Sequence, residues 1–153
     1  MPNTYSQMYA QIVFATRGRE ISIPQKHKEE LHKYITGIVN NRKQKLLAIN
    51  AMPEHIHIFI GFKPNICISD LVQEIKTASS IFIKEKQWIK GRFYWQEGFG
   101  SFTYSHSQLT NVINYINNQE QHHKRKTFKE EYLEILQKYD IEFNDAYLFE
   151  WYE

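Results

Sequence analysis

The chain has 153 residues, 42% of them hydrophobic and 24% charged, with only 6 Gly and 4 Pro, which excludes a disordered, collagen-like or low-complexity chain and suits one compact domain with an added terminal element. Its single cysteine, Cys67, excludes an internal disulfide and a cysteine-based zinc ribbon and points to a reducing compartment, so a cytoplasmic location is expected. The formal net charge of +2 conceals a split: residues 1–130 carry 18 Lys+Arg against 10 Asp+Glu, whereas residues 131–153 carry one lysine against seven acidic residues.

In chain order, residues 7–15 are rich in β-branched and aromatic side chains and predict a first strand, closed by Arg17-Gly18-Arg19. Pro24 suits a first helical turn, and Leu31, Tyr34, Ile35, Ile38 and Val39 recur at helical spacing, predicting a helix over 24–41. Residues 45–51 and 55–62 flank Met52-Pro53-Glu54 and read as an antiparallel pair. Ser69 is placed to cap a second helix that runs to about Lys86, with Asp70 in its first turn and Leu71, Val72, Ile75, Ala78 and Phe82 as its buried stripe.

A fourth strand, bent or interrupted, is expected within 93–104, where Gly98 and Gly100 punctuate an aromatic stretch. A third helix is predicted over 107–122, with Leu109, Val112, Ile113 and Ile116 on one face. Thr127 with Glu130 three residues on has the capping-box spacing and opens a fourth helix. The polar stretch His122-His123-Lys124-Arg125-Lys126 between these helices is a hinge candidate, and no internal repeat is visible. Strand, helix, strand, strand, helix, strand is the ferredoxin-like (RRM-like) order, so the expected class is α+β, an antiparallel sheet with helices on one face and additional C-terminal helices. Residues 1–125 form the expected domain and 126–153 an acidic helical extension.

No apolar run approaches the roughly 18 residues of a membrane span, and Met1-Pro2-Asn3-Thr4 lacks the charged and apolar regions of a signal peptide. No membrane partner is expected. The basic body would attract a phosphate backbone, although mixed charges serve solubility equally well. Strand alternation points His55 and His57 to one face and Ile56, Ile58 and Ile60 to the other. Two imidazoles so placed suit a divalent cation with open coordination positions, but an ordinary strand bearing two half-exposed histidines fits the same spacing. Tyr115 and Gln119 share the polar face of the third predicted helix with Asn111, Asn118 and His122, a position that a tyrosine packed at the core edge would also occupy.

Met52-Pro53-Glu54-His55-Ile56-His57-Ile58-Phe59-Ile60 is followed, 58 residues from His57, by the tyrosine of Asn114-Tyr115-Ile116-Asn117-Asn118-Gln119-Glu120. Together they resemble the HUH single-tyrosine transposases of the insertion sequence 200-like type, with His55-Ile56-His57 as the His–hydrophobic–His motif and Tyr115 to Gln119 as Tyr-x-x-x-Gln. Ile68-Ser69-Asp70-Leu71-Val72-Gln73-Glu74-Ile75-Lys76 and Tyr94-Trp95-Gln96-Glu97-Gly98-Phe99 are similar to the connecting segments, so the resemblance spans roughly residues 5–125. It does not reach the acidic segment 128–153.

The resemblance implies a divalent metal, Mg²⁺ or Mn²⁺, held by His55, His57 and Gln119. It implies cleavage and rejoining of single-stranded DNA, hairpin-containing at element ends, with Tyr115 as the nucleophile of a 5′-phosphotyrosine intermediate. It also implies a homodimer whose tyrosine helices are exchanged between active sites, and makes Gly98/Gly100 the better candidate for a flexible attachment. Arg17, Arg19, Arg42, Lys43, Lys45 and Lys76 are the candidate phosphate contacts, treated as a field rather than a site. Trp88, Trp95, Phe99 and Tyr104 are placed to stack on unpaired bases or to fill the core. Glu54 points away from the histidine face if the strand is already regular there, and Cys67 is expected to be small and buried. Three other readings stay open: a non-catalytic nucleic-acid-binding module, a host-retained relative that processes repeats, and a metal-dependent hydrolase in which Tyr115 is structural.

Overall fold

The computed structural model describes residues 3–18 and 22–152. Strands β1 (Met8–Ala15), β2 (Lys45–Ala51), β3 (His55–Phe62) and β4 (Gly100–Thr103) form one antiparallel sheet in the order β2-β3-β1-β4. Helix α1 (Lys28–Asn41) joins β1 to β2 and α2 (Ile68–Glu85) joins β3 to β4, the ferredoxin-like arrangement expected from the element order.

Pairing fixes the two faces of the sheet. Ile12 lies opposite Ile58 and Phe14 opposite Ile56, and this face meets Leu31, Ile35 and Val39 of α1 and Leu71, Val72 and Ile75 of α2 in the main core. Val13 opposite His57 and Ala15 opposite His55 mark the other face. That face is not left to solvent: six successive residues of β3, His55 to Ile60, are buried, because the later helices form a second layer. Helix α3 (Leu109–Asn117) sets Val112 and Ile116 on Ala48 and Phe59. Helix α5 (Phe128–Lys138) anchors itself with Phe128, Tyr132 and Leu136, all nearly inaccessible and each worth about 2 kcal/mol of apolar burial. The acidic extension therefore packs into the same core as the residues before it.

The third predicted helix is broken into three pieces. A 3₁₀ turn at His106–Gln108 leads into α3, and Asn118, at φ −102° and ψ 23°, separates α3 from α4 (Gln119–His123). Asn114, Asn117 and Asn118 offer weak helix propensity around this break. Thr127 and Glu130 form the expected capping box. Helix α2 instead starts at Ile68 with Cys67 at its N-cap, so Ser69 is already inside the helix. Cys67 is exposed rather than buried, since the helix mouth lies outside the apolar stripe.

The fourth strand is indeed interrupted: Trp95 makes an isolated bridge to Thr16 before the ladder resumes at Gly100. Gly98 is in the left-handed region, at φ +84°. Gly100 itself lies in β4 against α5. A Cβ there would stand 2.6 Å from Tyr132 Oη and 2.9 Å from the Phe102 ring, so its bareness lets α5 settle on β4. Gly100→Ala is expected to lower unfolding free energy by about 1–3 kcal/mol, measured by urea denaturation. Among the described residues, no helix is long and apolar enough to cross a membrane.

Candidate active site

Strand alternation places His55 and His57 on one face, as expected, but both are fully inaccessible under the roof of α3, α4 and α5. Each ring is held at Nδ1. His57 Nδ1 lies 2.7 Å from Gln11 Oε1, and Gln11 Nε2 donates to Tyr104 Oη at 2.8 Å, which turns the amide oxygen toward the imidazole. His55 Nδ1 lies 2.9 Å from Glu54 Oε1. An imidazole that donates from Nδ1 carries its lone pair on Nε2, the form that binds metals. Both Nε2 atoms turn inward to one point beneath the roof.

There they meet two groups from the later helices. Gln119 Oε1 is 3.4 Å from His55 Nε2. Glu131 Oε1 is 3.1 Å from His57 Nε2 and 3.8 Å from His55 Nε2. The second carboxylate oxygen, Oε2, accepts from Gln119 Nε2 at 3.0 Å and from the Tyr115 hydroxyl. Tyr115 is half-buried, with its ring 5.9 Å from that of His57 in the same chain. Asn50, which pairs with His57 across β2 and β3, donates to the Ile116 carbonyl at 2.9 Å and so ties the end of α3 to the sheet. Phe128 stacks on His55 with ring centroids 3.9 Å apart.

These surroundings set the protonation preferences. Burial lowers the His55 pKa to about 4, keeping the imidazole neutral. Burial opposes ionisation of Glu131, yet the His57 charge first, with the His123 imidazole 3.8 Å away and the hydrogen bond to His57, holds its carboxyl well below the usual carboxylate range. Burial, and next the Glu131 charge, push the Tyr115 phenol well above its ordinary value. Burial likewise works against an ionised Glu54, but the hydrogen bond to His55 prevails and its pKa falls.

A divalent metal fits this donor set. His55, His57 and Glu131 offer ligand atoms within 4.8 Å of one another, with the Gln119 amide oxygen beside them, a mixture of imidazole nitrogen and hard oxygen suited to first-row divalent ions. Glu54, His55 and His123 form a second convergent group that shares His55.

The sequence motifs and the structure agree on Tyr115, His55, His57 and Gln119 as neighbours; Glu131, Glu54 and Gln11 are additions. Glu131 had a visible signal: it lies in step with Phe128, Tyr132, Ile135 and Leu136 on the apolar stripe of α5, where a lone carboxylate is out of place. Nothing in the sequence named its partner.

The candidate DNA contacts do not converge. Arg17 is exposed at the histidine end of β1, whereas Arg42, Lys43 and Lys45 lie at the opposite end of the sheet, about 20 Å away at strand rise. Arg42 pairs with Glu74 at 2.6 Å, and Arg19 lies outside the described residues. Lys76 is turned inward, donating to the Gln96 and Gly98 carbonyls at 2.8 and 2.6 Å, and burial lowers its pKa to about 8. Trp95 is core, donating to Ser79 at 2.9 Å. The basic groups beside the tyrosine are others: Arg125, Lys126 and Lys138 rim a cleft of about 530 Å³ that Tyr115 and Tyr104 line.

Residues 4–119 match the family described as transposase IS200-like. No curated protein matches the chain. Among solved structures, a candidate transposase from Deinococcus radiodurans R1 is similar at 23% identity and a TM-score of 0.59, covering 78% of this chain and 95% of its own. A REP-associated tyrosine transposase bound to a REP hairpin is similar at 17% identity and a TM-score of 0.60, covering 80% of this chain and 73% of its own. These two likenesses bear on the fold, and the family match, which takes in both histidines, the tyrosine and the glutamine, bears on descent: the chain belongs to the IS200-like transposases.

Proposed function

We propose that this transposase cleaves and rejoins single-stranded DNA through a covalent bond to Tyr115. The observation that carries the reading is the delivery of the Tyr115 hydroxyl, on α3, to the edge of the buried histidine pair. In this reaction the Tyr115 oxygen, giving up its hydroxyl proton, bonds to a backbone phosphorus and the P–O3′ bond breaks, leaving a 5′-phosphotyrosine and a 3′-oxygen that takes up a proton to become a free 3′-hydroxyl. A 3′-hydroxyl of another strand then attacks the phosphotyrosine, which reseals DNA and regenerates the phenol. The phosphodiester energy is conserved throughout, so no ATP is needed.

His55, His57 and Gln119 would hold Mg²⁺ or Mn²⁺, which supplies polarisation of the phosphate when bound. Gln11 and Glu54 keep the two rings aimed. The cleft beside Tyr115, with Arg125, Lys126 and Lys138 on its rim, is where the reading brings in the strand, and a hairpin at an element end is the expected substrate. A cytoplasmic location is part of the same reading. So is the division into residues 1–125 as transposase domain and 126–153 as extension, although α5 joins the two through the core. The resemblance also implies a homodimer with exchanged tyrosine helices; one observation favours the alternative, since Tyr115 already stands beside His57 of its own chain.

The test uses 5′- and 3′-labelled single-stranded hairpins with and without Mg²⁺ or Mn²⁺. The expected product is a metal-dependent, denaturation-resistant adduct at Tyr115 that retains the DNA on its 3′ side, mapped by mass spectrometry. Binding with no adduct under any metal would favour a binding module, and cleavage with no adduct a hydrolase.

A further inference from the structure

We propose that Glu131 is itself a metal ligand, binding through Oε1 so that a carboxylate supplied by α5, outside the family-matched residues 4–119, joins His55, His57 and Gln119 around the ion. The inference rests on the metal reading above and deepens it. Its first support is the direction of the lone pairs. His57 and His55 spend their Nδ1 hydrogens on Gln11 Oε1 and Glu54 Oε1. Their Nε2 atoms therefore face Glu131 Oε1 at 3.1 and 3.8 Å, and since a carboxylate has no hydrogen to offer, either a proton on His57 Nε2 or a cation stands between nitrogen and oxygen. The proton serves only the His57–Glu131 pair, whereas a cation that replaces it satisfies both imidazoles and the carboxylate.

The second support is the division of labour between the two carboxylate oxygens. Oε2 is taken by the Gln119 amide and the Tyr115 hydroxyl, which fix the rotation of the group. Oε1 is left facing the imidazoles. The third is cost. Glu131 is only 6% exposed on the apolar stripe of its helix, and burying a carboxylate there is expensive without a counter-charge. Among the described residues, no lysine or arginine stands within salt-bridge distance of Glu131; the groups that face Oε1 are imidazoles. Two imidazoles with one carboxylate form a donor set that leaves coordination positions open.

Two consequences follow. The ion clamps α5 to the sheet, so metal binding and docking of the extension are coupled. The two nitrogen ligands also make Mn²⁺ bind more tightly than Mg²⁺, which prefers oxygen alone.

The test is titration of the full chain with Mn²⁺, followed by the loss of the free-ion electron paramagnetic resonance signal. Wild type is expected to bind one ion, Glu131→Gln to bind it at least tenfold more weakly, His57→Ala to lose it, and Glu134→Gln, an exposed neighbour on α5, to match wild type. If Glu131→Gln binds Mn²⁺ as tightly as wild type or more tightly while His57→Ala does not bind, Glu131 is a histidine ion-pair partner or a competitor, and only this proposal fails. If wild type binds no Mn²⁺, the metal reading fails with it. Should Glu131→Gln not fold, hydrogen exchange on wild type decides: Mn²⁺ is expected to slow exchange of the α5 amides at least tenfold, and unchanged α5 exchange in a protein that binds the ion would overturn the proposal.

Discussion

Tyr115→Phe is expected to abolish the protein–DNA adduct, a loss of at least about 10³-fold, while retaining hairpin binding. The change removes one oxygen. The ring remains against His57 and His122, and Glu131 Oε2 keeps the Gln119 amide, so the expected loss of stability is about 1 kcal/mol. Adduct formation is read on a denaturing gel and binding by mobility shift on the same preparation. Full adduct yield in the variant would reject Tyr115 as nucleophile. Equal loss of binding and cleavage would instead make it a substrate contact.

His57→Ala is expected to lose metal-dependent cleavage by at least about 10²-fold and, in addition, to weaken the fold. A surface-facing histidine would be truncated at little structural cost, but His57 is fully buried between Gln11 and Glu131. Its removal strands a buried amide oxygen and a buried carboxylate, worth about 2–4 kcal/mol together. Urea denaturation in EDTA reads the structural part separately from cleavage in Mn²⁺. Mixing His57→Ala with Tyr115→Phe tests the arrangement of the site: each chain using its own tyrosine predicts no recovery of adduct, whereas exchanged helices would restore one working site per mixed dimer.

The motif pairs were legible because they obey local periods. Two-residue alternation puts His55 and His57 on one face whatever lies above them. Four-residue spacing brings Gln119 near Tyr115, and it survives the break at Asn118 because both side chains are tethered to the same Glu131 oxygen. Glu54 escapes the alternation for a local reason as well: it precedes β3, which starts at His55, so the condition of a regular strand is not met and its carboxylate turns back to His55 Nδ1. Charge counts identified a basic body but not a basic site, since Lys76 spends its ammonium on backbone carbonyls and Arg42 on Glu74.

The order of the elements, the sheet they build and the spacing of the four motif residues follow from patterns that span a few positions of the chain. The roof over the histidines and the carboxylate beneath it come instead from long-range packing. Glu131 meets His57 across 74 residues of chain. That meeting depends on α5 docking through Phe128 onto His55 and through Tyr132 onto a β4 left bare at Gly100, and no local period encodes where one helix comes to rest on a distant strand.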